Sequence, residues 1–216
     1  MRTLRKIARQ SFVERTSLQK VTMTSVQAAK KALRKNVEEK ILKILPEDKR
    51  RQSSKVCEKL FEHPAFKNSE RISVYLSTDN EIDTEPIVRK IFELNKKCYV
   101  PRYNKNVMEM VRLKDMEDWK NLPLTKWNIK QPDLKETREN ALETGGLDLI
   151  ILPGVAFTKK GVRLGHGKGY YDKFQSELFK IQSKRPSTIA LAFKEQILDE
   201  IPTHEHDVTL DLILFE

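Results

Sequence analysis

Apolar residues recur along the chain in two rhythms, which predict helices and strands in alternation. In residues 25–45 they come every three or four positions, as on one face of a helix, with Ser25 as a candidate N-cap and Pro46 ending the run. That stripe consists of Val26, Ala29, Leu33, Val37, Ile41 and Ile44. Further helices are predicted after Thr84 and over residues 170–182. Their expected core positions are Ile87, Ile91, Leu94, Tyr171, Phe174, Leu178 and Ile181.

Short apolar runs between these helices predict the strands of a sheet. In residues 71–77, Ile72, Val74 and Leu76 alternate on one face, and residues 147–152 form a continuous apolar run typical of a buried strand. Other strands are predicted over residues 97–102, 107–113, 187–193 and 208–215. Strands that alternate with helices indicate an α/β fold, here a three-layer α/β/α sandwich with a mostly parallel sheet. No internal repeat or linker divides the chain, so a single domain is expected.

All seven glycines of the 216-residue chain lie between Gly145 and Gly169, and three of them stand at alternate positions over residues 165–169. Backbone amides without a neighbouring Cβ can approach a phosphate closely, and Arg163 and Lys168 add positive charge. The segment lies between a predicted strand and a predicted helix, where α/β proteins bind ligands. It has neither the Gly-Lys-Ser/Thr ending of a P-loop nor the Gly-x-Gly-x-x-Gly dinucleotide spacing. An anion cradle is the hypothesis, and a mobile surface loop is the alternative.

Composition is compatible with one soluble domain. At 25.3 kDa and 38% hydrophobic residues the chain can bury one substantial core. No apolar run approaches the roughly 20 residues that span a bilayer, so no membrane segment is predicted. Cys57 falls in a predicted helix and Cys98 in a predicted strand, and both are expected to be buried, reduced thiols.

The net charge of +10 is unevenly distributed. Residues 1–22 contain six basic residues and one acidic residue, which is half of the excess in a tenth of the chain. Such an Arg-rich segment with Ser and Thr is typical of a mitochondrial presequence, and a solvated disordered tail is the alternative. The moderately basic remainder suits anionic small molecules such as a nucleotide triphosphate or a polyglutamylated folate, and it suits RNA equally well.

Several ordered segments together resemble the 5-formyltetrahydrofolate cyclo-ligase family, also called methenyltetrahydrofolate synthetases. The main ones are Leu152-Pro153-Gly154, the run from Gly161 to Asp172 and the segment over residues 190–196. Shorter matches occur at residues 75–77, 80–84, 101–103 and 127–129. The resemblance begins near Gln27 and continues to the C-terminus. It therefore suggests a basic extension over residues 1–22 and a cyclo-ligase domain over residues 23–216.

The resemblance implies an enzyme of one-carbon metabolism. It implies that ATP and Mg²⁺ drive the conversion of 5-formyltetrahydrofolate to 5,10-methenyltetrahydrofolate, with ADP and phosphate released after a phosphorylated iminium intermediate. A cytoplasmic monomer that binds neither nucleic acid nor membrane is expected, with a mitochondrial form if residues 1–22 are a presequence. The alternative is a non-catalytic α/β module that binds a nucleotide or RNA, which the charge alone does not exclude.

The resemblance also implies roles for individual residues. Lys30 and Arg34 are one helical turn apart, a spacing that lets both face one anion, although a solvated face is the ordinary reason for such a pair. The expected ATP-binding set is Lys30, Arg34, Arg163, Leu164, Gly165, His166, Gly167, Lys168, Gly169, Tyr170 and Tyr171. The expected catalytic set within it is Arg163, Lys168, Tyr170 and Tyr171. The expected folate-binding set is Leu76, Glu81, Trp127 and Tyr170.

Three acidic residues and two departures from the family pattern complete the expectations. Asp172 and Asp207 are expected to bind Mg²⁺, which prefers oxygen ligands and needs few protein groups on a nucleotide. Glu81 can pair in bidentate fashion with the adjacent donors of a pterin ring. His166 stands where the family commonly has Arg, and Thr158 stands where it usually has Asp. The first change removes a permanent charge from the loop, and the second puts a hydrogen bond or metal contact in doubt.

The basic extension is predicted to be dispensable for catalysis. A protein that begins at Met23 should keep the activity and unfolding temperature of the full chain, because residues 1–22 lie outside the resemblance and carry no core stripe. Deletion through Arg34 should instead lower ATP affinity and stability together, since it removes the basic pair and part of the stripe. Activity assays and thermal unfolding of both truncations provide the measurement. A loss of activity on removal of residues 1–22 alone would contradict the predicted boundary.

Overall fold

The computed structural model describes residues 25–104, 107–126, 128–203 and 207–216. The basic extension over residues 1–22, the predicted domain boundary at Met23 and the candidate folate-binding residue Trp127 lie outside the described residues. Within the described part of the chain, no helix has both the length and the apolar character needed to cross a membrane.

Nine strands and six helices are described. The strands are β1 (Arg71–Val74), β2 (Lys97–Asn104), β3 (Val107–Leu113), β4 (Leu149–Leu152), β5 (Ala156–Thr158), β6 (Arg163–Leu164), β7 (Ser187–Leu191), β8 (Ile197–Leu198) and β9 (Leu212–Leu214). The helices are α1 (residues 25–42), α2 (Pro46–Glu62), α3 (Pro64–Lys67), α4 (Glu85–Glu93), α5 (Met116–Asn121) and α6 (Tyr170–Ile181). A 3₁₀ turn covers Lys194–Gln196.

Six strands form the main sheet in the order β3-β2-β1-β4-β7-β9, and only β3 runs antiparallel to its neighbour. The predicted mostly parallel sheet in a single α/β domain is therefore confirmed. The chain leaves β1 through α4 toward one edge and leaves β4 through α6 toward the other edge. Because such crossovers are right-handed, α4 and α6 cover opposite faces of the sheet and give three layers. The reversal leaves a crevice between the carboxyl ends of β1 and β4, where ligands of such folds bind.

The central strands are buried on both faces. Ile72, Ser73 and Val74 of β1 have no exposed surface, and all four residues of β4 are buried as well. The predicted alternation in residues 71–77 is therefore wrong, because helices on both sides of a parallel sheet leave neither face to solvent. The strand also ends at Val74, and the still-buried Tyr75 leads into the loop that follows β1.

Several predicted helix positions differ from the structure. Pro46 does not simply end the first helix; it is the first residue of α2, a position that its fixed φ and missing amide hydrogen favour. In α1 the buried apolar residues are Val37 and Ile41, whereas the predicted core residue Ala29 is exposed. Leu94 follows α4, Ile181 is the last residue of α6, and both are exposed rather than buried. In both helices the apolar spacing therefore continues in the sequence beyond the last buried residue.

A small second sheet, which the sequence analysis did not predict, supports the glycine-rich segment. It has the order β6-β5-β8, and a tight turn joins β5 to the antiparallel β6. Gly161 lies in this turn at a φ of +88°, and its carbonyl accepts a hydrogen bond from the Leu210 amide at 2.9 Å. The turn therefore connects the glycine-rich segment to the chain that leads into β9.

Both cysteines are buried and unpaired, as predicted. Burial raises the pKa of the Cys57 thiol to about 12, and the neighbouring carboxylate of Asp83 acts in the same direction. Burial likewise raises the pKa of Cys98 to about 12. Both side chains are therefore neutral thiols at physiological pH.

The turn at Gly161 should tolerate no side chain. A Cβ at this position would lie 2.2 Å from the Leu210 carbonyl oxygen, and the positive φ adds backbone strain. Gly145→Ala is the matched control, because Gly145 also has a positive φ but no atom within 4 Å of an added Cβ. We expect the control to cost about 1–2 kcal/mol and Gly161→Ala to cost about 2 kcal/mol more in free energy of unfolding. Urea unfolding measures both, and equal losses would contradict the described clash.

Candidate active site

Two loops border the crevice between β1 and β4, and a buried side chain holds one of them. The loop after β1 contains Leu76 and Glu81, and the turn after β4 contains Pro153 and Gly154. The buried Gln196 side chain donates to the Gly154 carbonyl at 2.7 Å and to the Val155 carbonyl at 3.1 Å. The turn after β4 is therefore held by a side chain from the segment that carries the third family motif.

The glycine loop over residues 165–169 ends at the N-terminus of α6. Gly169 is the N-cap of this helix at a φ of +67°, and no side chain caps the first turn. The first amides of a helix lack partners within the helix, so this end can bind an anion. Lys168 is exposed and forms no ion pair with any described residue. The loop thus combines open amides with a free cation.

Helix α1 brings two cations to the glycine loop from the far end of the chain. The Arg34 Nε donates to the Gly165 carbonyl at 2.8 Å, and the Lys30 Nζ lies 2.6 Å from the Asp207 Oδ2. A Cβ on Gly167 would lie 3.5 Å from the Arg34 Cζ, so the guanidinium passes directly beside the loop. Lys30 is buried, which means that a solvated face is the wrong interpretation of this pair.

Arg163 occupies the interior of the site. Its side chain is 5% exposed, its Nη2 lies 2.7 Å from the Asp172 Oδ1, and its Nη1 donates to the Pro153 carbonyl at 3.3 Å. Its Nε is buried and has no hydrogen-bond partner among the described residues. Arg163 therefore joins β6, the turn after β4 and the first turn of α6, and keeps one donor unused.

Three tyrosines pack beside Arg163. Tyr170 and Tyr171 begin α6, as predicted, and the Tyr103 ring from the end of β2 lies 5.1 Å from the Tyr170 ring between centroids. Burial raises the pKa of Tyr103 to about 12, and the nearby Glu81 carboxylate acts in the same direction. Burial also raises the pKa of Tyr171 well above its ordinary value. The hydroxyls of Tyr103 and Tyr171 therefore stay protonated at physiological pH.

The sequence analysis gave Tyr103 no role in the site. It belongs to the Pro101-Arg102-Tyr103 segment, which contributed to the family resemblance. The signal that could have placed it is the length of β2: the strand continues two residues beyond the predicted end at Arg102. Tyr103 therefore lies at the carboxyl end of β2, and its ring contacts that of Tyr170 at the start of α6.

A cleft of about 720 Å³ opens between α2, the loop after β1 and the segment around Trp119 and Lys130. Leu76 and Glu81, two predicted folate-binding residues, both line it, and so does Asn128, next in sequence to the undescribed Trp127. The volume lies within the range that is usual for sites of drug-sized ligands.

Glu81 connects this cleft with the glycine loop. Its Oε2 accepts hydrogen bonds from the Thr78 amide at 2.9 Å and the Thr78 hydroxyl at 3.0 Å. Its Oε1 lies 3.8 Å from the Nε2 of His166 in the glycine loop. The carboxylate is thus fixed by one oxygen and directs the other to the junction of the two parts of the site.

The departure at Thr158 affects a turn. Its hydroxyl accepts a hydrogen bond from the Val162 amide at 3.2 Å, and its own amide donates to the Val162 carbonyl at 2.9 Å. The residue is buried at the end of β5. A hydroxyl oxygen therefore accepts the turn hydrogen bond here, which a carboxylate oxygen could also do. The other departure, His166, has a largely exposed side chain.

The two predicted magnesium ligands supply hard oxygen atoms. Asp172 pairs with Arg163, which packs beside Gly165, and Asp207 pairs with Lys30, one helical turn before the Arg34 that binds the Gly165 carbonyl. In the described part of the chain, no group of three or more His, Cys, Asp or Glu residues could hold a metal ion. This donor set fits Mg²⁺ that takes its remaining ligands from phosphates and water, as on a nucleotide. It does not fit a metal held by protein groups alone.

Residues 26–216 match the model of the 5-formyltetrahydrofolate cyclo-ligase family. The chain belongs to this family. The chain is 46% identical to the mouse 5-formyltetrahydrofolate cyclo-ligase over 89% of its own length and 96% of the mouse protein. It is 43% identical to the probable 5-formyltetrahydrofolate cyclo-ligase of Caenorhabditis elegans over 90% of its own length and 96% of that protein.

A solved structure of the family has the same fold. The structure of Aquifex aeolicus 5,10-methenyltetrahydrofolate synthetase, determined by NMR, superposes with a TM-score of 0.69 and 29% identity. The superposition covers 86% of this chain and 89% of that one. The family resemblance drawn from the glycine-rich and other motifs is thereby confirmed, and with it the fold.

The position of Glu81 predicts a selective effect on one substrate. Glu81→Gln keeps an acceptor for Thr78 but removes the negative charge, so folate binding should weaken by about 1.5–3 kcal/mol while ATP binding changes little. Titration of each ligand separately gives both affinities. Thr78→Val is the control for the local loop, because it removes one hydrogen bond to Glu81 without touching its charge. If Glu81→Gln lowered ATP affinity as much as folate affinity, the assignment of the loop after β1 to the folate end of the site would be wrong.

Proposed function

We propose that this cyclo-ligase uses the crevice to convert 5-formyltetrahydrofolate and ATP into 5,10-methenyltetrahydrofolate, ADP and phosphate. The observation that carries the proposal is the convergence of α1, β6 and α6 at Gly165. Arg34 of α1 donates to its carbonyl, Arg163 of β6 packs beside it, and α6 begins five residues later. Cations and open helix amides around a loop without side chains are the environment that phosphate groups require.

The phosphate end would be formed by the glycine loop and its cations. Lys30, Arg34, Arg163 and Lys168 would neutralise the phosphates. The backbone from Leu164 through Gly165, His166, Gly167 and Gly169 would approach them closely. Phosphoryl transfer depends mainly on position and charge, so a site of amides and cations needs no protein nucleophile.

The folate end would be the cleft beside this loop. Glu81 would pair with the ring donors of the pterin through its outward oxygen, and Leu76 would line the same pocket. Trp127 would provide a flat surface for an aromatic ring of the substrate. Tyr170 and Tyr171 would position the reacting groups between the two ends. A folate with or without a polyglutamate tail fits the open cleft.

The chemistry requires the formyl oxygen to become a leaving group. In the proposed reaction this oxygen attacks the γ-phosphate of ATP, which releases ADP and leaves a phosphorylated iminium. Nitrogen 10 then attacks the formyl carbon and loses its proton to solvent, and the carbon–oxygen bond breaks as inorganic phosphate departs. Asp172 and Asp207 would hold Mg²⁺, which would neutralise charge on the phosphates. The residues of the chain would bind and orient the two substrates and exclude water from the reacting groups.

A cytoplasmic monomer is the form that we propose, with a mitochondrial form if residues 1–22 act as a presequence. The alternative of a non-catalytic RNA-binding or nucleotide-binding module has less support. Exposed aromatic residues between basic ones are typical of single-strand binding surfaces. Here Tyr99 is fully buried, and Lys130 lies over the Trp119 ring at 4.1 Å from its centroid.

Formation of methenyltetrahydrofolate is the direct test. Purified protein mixed with 5-formyltetrahydrofolate should show the absorbance of the methenyl product only when both ATP and Mg²⁺ are present. Asp172→Asn should lower turnover by roughly 10²-fold while folate binding stays near normal, because the change affects the phosphate end alone. A product signal that does not depend on ATP, or no signal from folded wild-type protein, would overturn the proposed function.

A further inference from the structure

The four charged groups that ATP and Mg²⁺ would use already neutralise one another. Lys30 binds Asp207 at 2.6 Å, and Arg163 binds Asp172 at 2.7 Å. In the proposed function both cations bind phosphate and both carboxylates bind the metal ion. Each proposed phosphate-binding cation is thus paired with a proposed metal-binding carboxylate.

Both pairs are sheltered enough to compete with a ligand. The side chains of Lys30 and Arg163 are 10% and 5% exposed, and those of Asp207 and Asp172 are 27% and 30% exposed. Ion pairs of this kind are screened much less than surface pairs. A lone Mg²⁺ would have to displace a cation at each carboxylate and leave that buried cation without its counter-ion, which is unfavourable.

The buried Arg163 also has a donor that no described residue uses. Its Nε has no hydrogen-bond partner, although its two terminal nitrogens bind Asp172 and the Pro153 carbonyl. Unsatisfied buried donors of this kind are uncommon in folded proteins. An incoming phosphate oxygen would supply the missing acceptor and would attract the guanidinium away from Asp172.

We propose that the two ion pairs exclude the metal until the nucleotide arrives, and that binding proceeds by exchange of partners. Phosphate groups take Lys30 and Arg163, and this releases Asp207 and Asp172 to the metal ion. The inference rests on the proposed function, because it uses the same assignment of ligands. Its consequence is that the metal ion and the nucleotide bind cooperatively, because each supplies a new partner to the group that the other ligand has displaced from its ion pair.

The exchange predicts effects of opposite sign from one substitution. Lys30→Met removes the cation but keeps the approximate length of the side chain, so a metal ion no longer has to compete with the Lys30 ammonium for the Asp207 carboxylate. Affinity for Mn²⁺ alone should rise about ten-fold, while affinity for the nucleotide should fall by a similar factor. A merely structural role of Lys30 would lower both. Lys31→Met is the matched control, because Lys31 is the exposed neighbour with no described ion pair, and it should change neither affinity.

The experiment uses Mn²⁺ in place of Mg²⁺ and a non-hydrolysable ATP analogue. Electron paramagnetic resonance of free Mn²⁺ gives its affinity for nucleotide-free protein, and calorimetry gives the affinity for the analogue with Mg²⁺ present. The expected wild-type result is Mn²⁺ affinity at least ten-fold weaker without the analogue than with it. Arg163→Met should raise nucleotide-free Mn²⁺ affinity in the same way through Asp172, and circular dichroism establishes that each variant is folded.

Three results would overturn the exchange. The first is tight Mn²⁺ binding by wild-type protein without nucleotide, a measurement that needs no variant. The second is unchanged nucleotide-free Mn²⁺ affinity in folded Lys30→Met, and the third is an equal rise in Lys31→Met. Wild-type protein that forms the methenyl product yet gives any of these results would keep the proposed function and lose only the exchange. Absence of the product would overturn the function itself.

Discussion

The site depends on one buried guanidinium. Arg163 lies in the short strand β6, yet it fixes the turn after β4 through Pro153 and the first turn of α6 through Asp172. Removing one partner of a buried ion pair leaves an uncompensated charge, which typically costs about 3–5 kcal/mol. The orientation of the glycine loop, which runs between Arg163 and α6, therefore follows from a charge that the protein must keep paired. In the proposed exchange the same guanidinium would leave Asp172 for a phosphate, so its ion pair would be replaced and not lost.

Helix α1 reaches this centre with little apolar packing of its own. Its buried apolar residues, Val37 and Ile41, lie toward the C-terminal end, whereas Lys30 and Arg34 make their polar contacts at earlier positions of the helix. The contacts near the loop are thus polar and involve Asp207 and the Gly165 carbonyl. Polar contacts of this kind can be exchanged for contacts with a phosphate at small net cost, whereas buried apolar surface cannot. Apolar packing therefore holds α1 at Val37 and Ile41, and polar contacts hold it at Lys30 and Arg34.

The sequence predicted the fold better than the positions of its boundaries. Alternating elements and a continuous apolar run were sufficient for a mostly parallel sheet, and β3 was placed at Val107–Leu113, as observed. The same reasoning failed in residues 71–77, because periodicity cannot tell a strand covered on both faces from one covered on a single face. It also missed the sheet β6-β5-β8, whose strands of two or three residues are too short to show any period.

For the site, residue types could be predicted from the sequence but their contacts could not. The family motifs selected Lys30, Asp207, Arg163 and Asp172, and the roles of these residues as ligands remain predictions. Their mutual pairing could not be predicted, because the partners are 177 residues apart in one case and 9 in the other, and no local pattern connects them. Tyr103 was missed for the same reason, since its place beside Tyr170 depends on where β2 ends in space.

The two departures from the family pattern fall where a change is easily accommodated. Thr158 is buried, but the turn requires only an oxygen acceptor for the Val162 amide, and a hydroxyl provides one without a charge that would need a partner. His166 has an exposed side chain, so the permanent charge that is lost there would have been largely screened by water. The charges that cannot be replaced in this way are the sheltered ones, Lys30 and Arg163. The loss of a charge from this site is therefore expected to matter more at the buried positions, Lys30 and Arg163, than at the exposed position of His166.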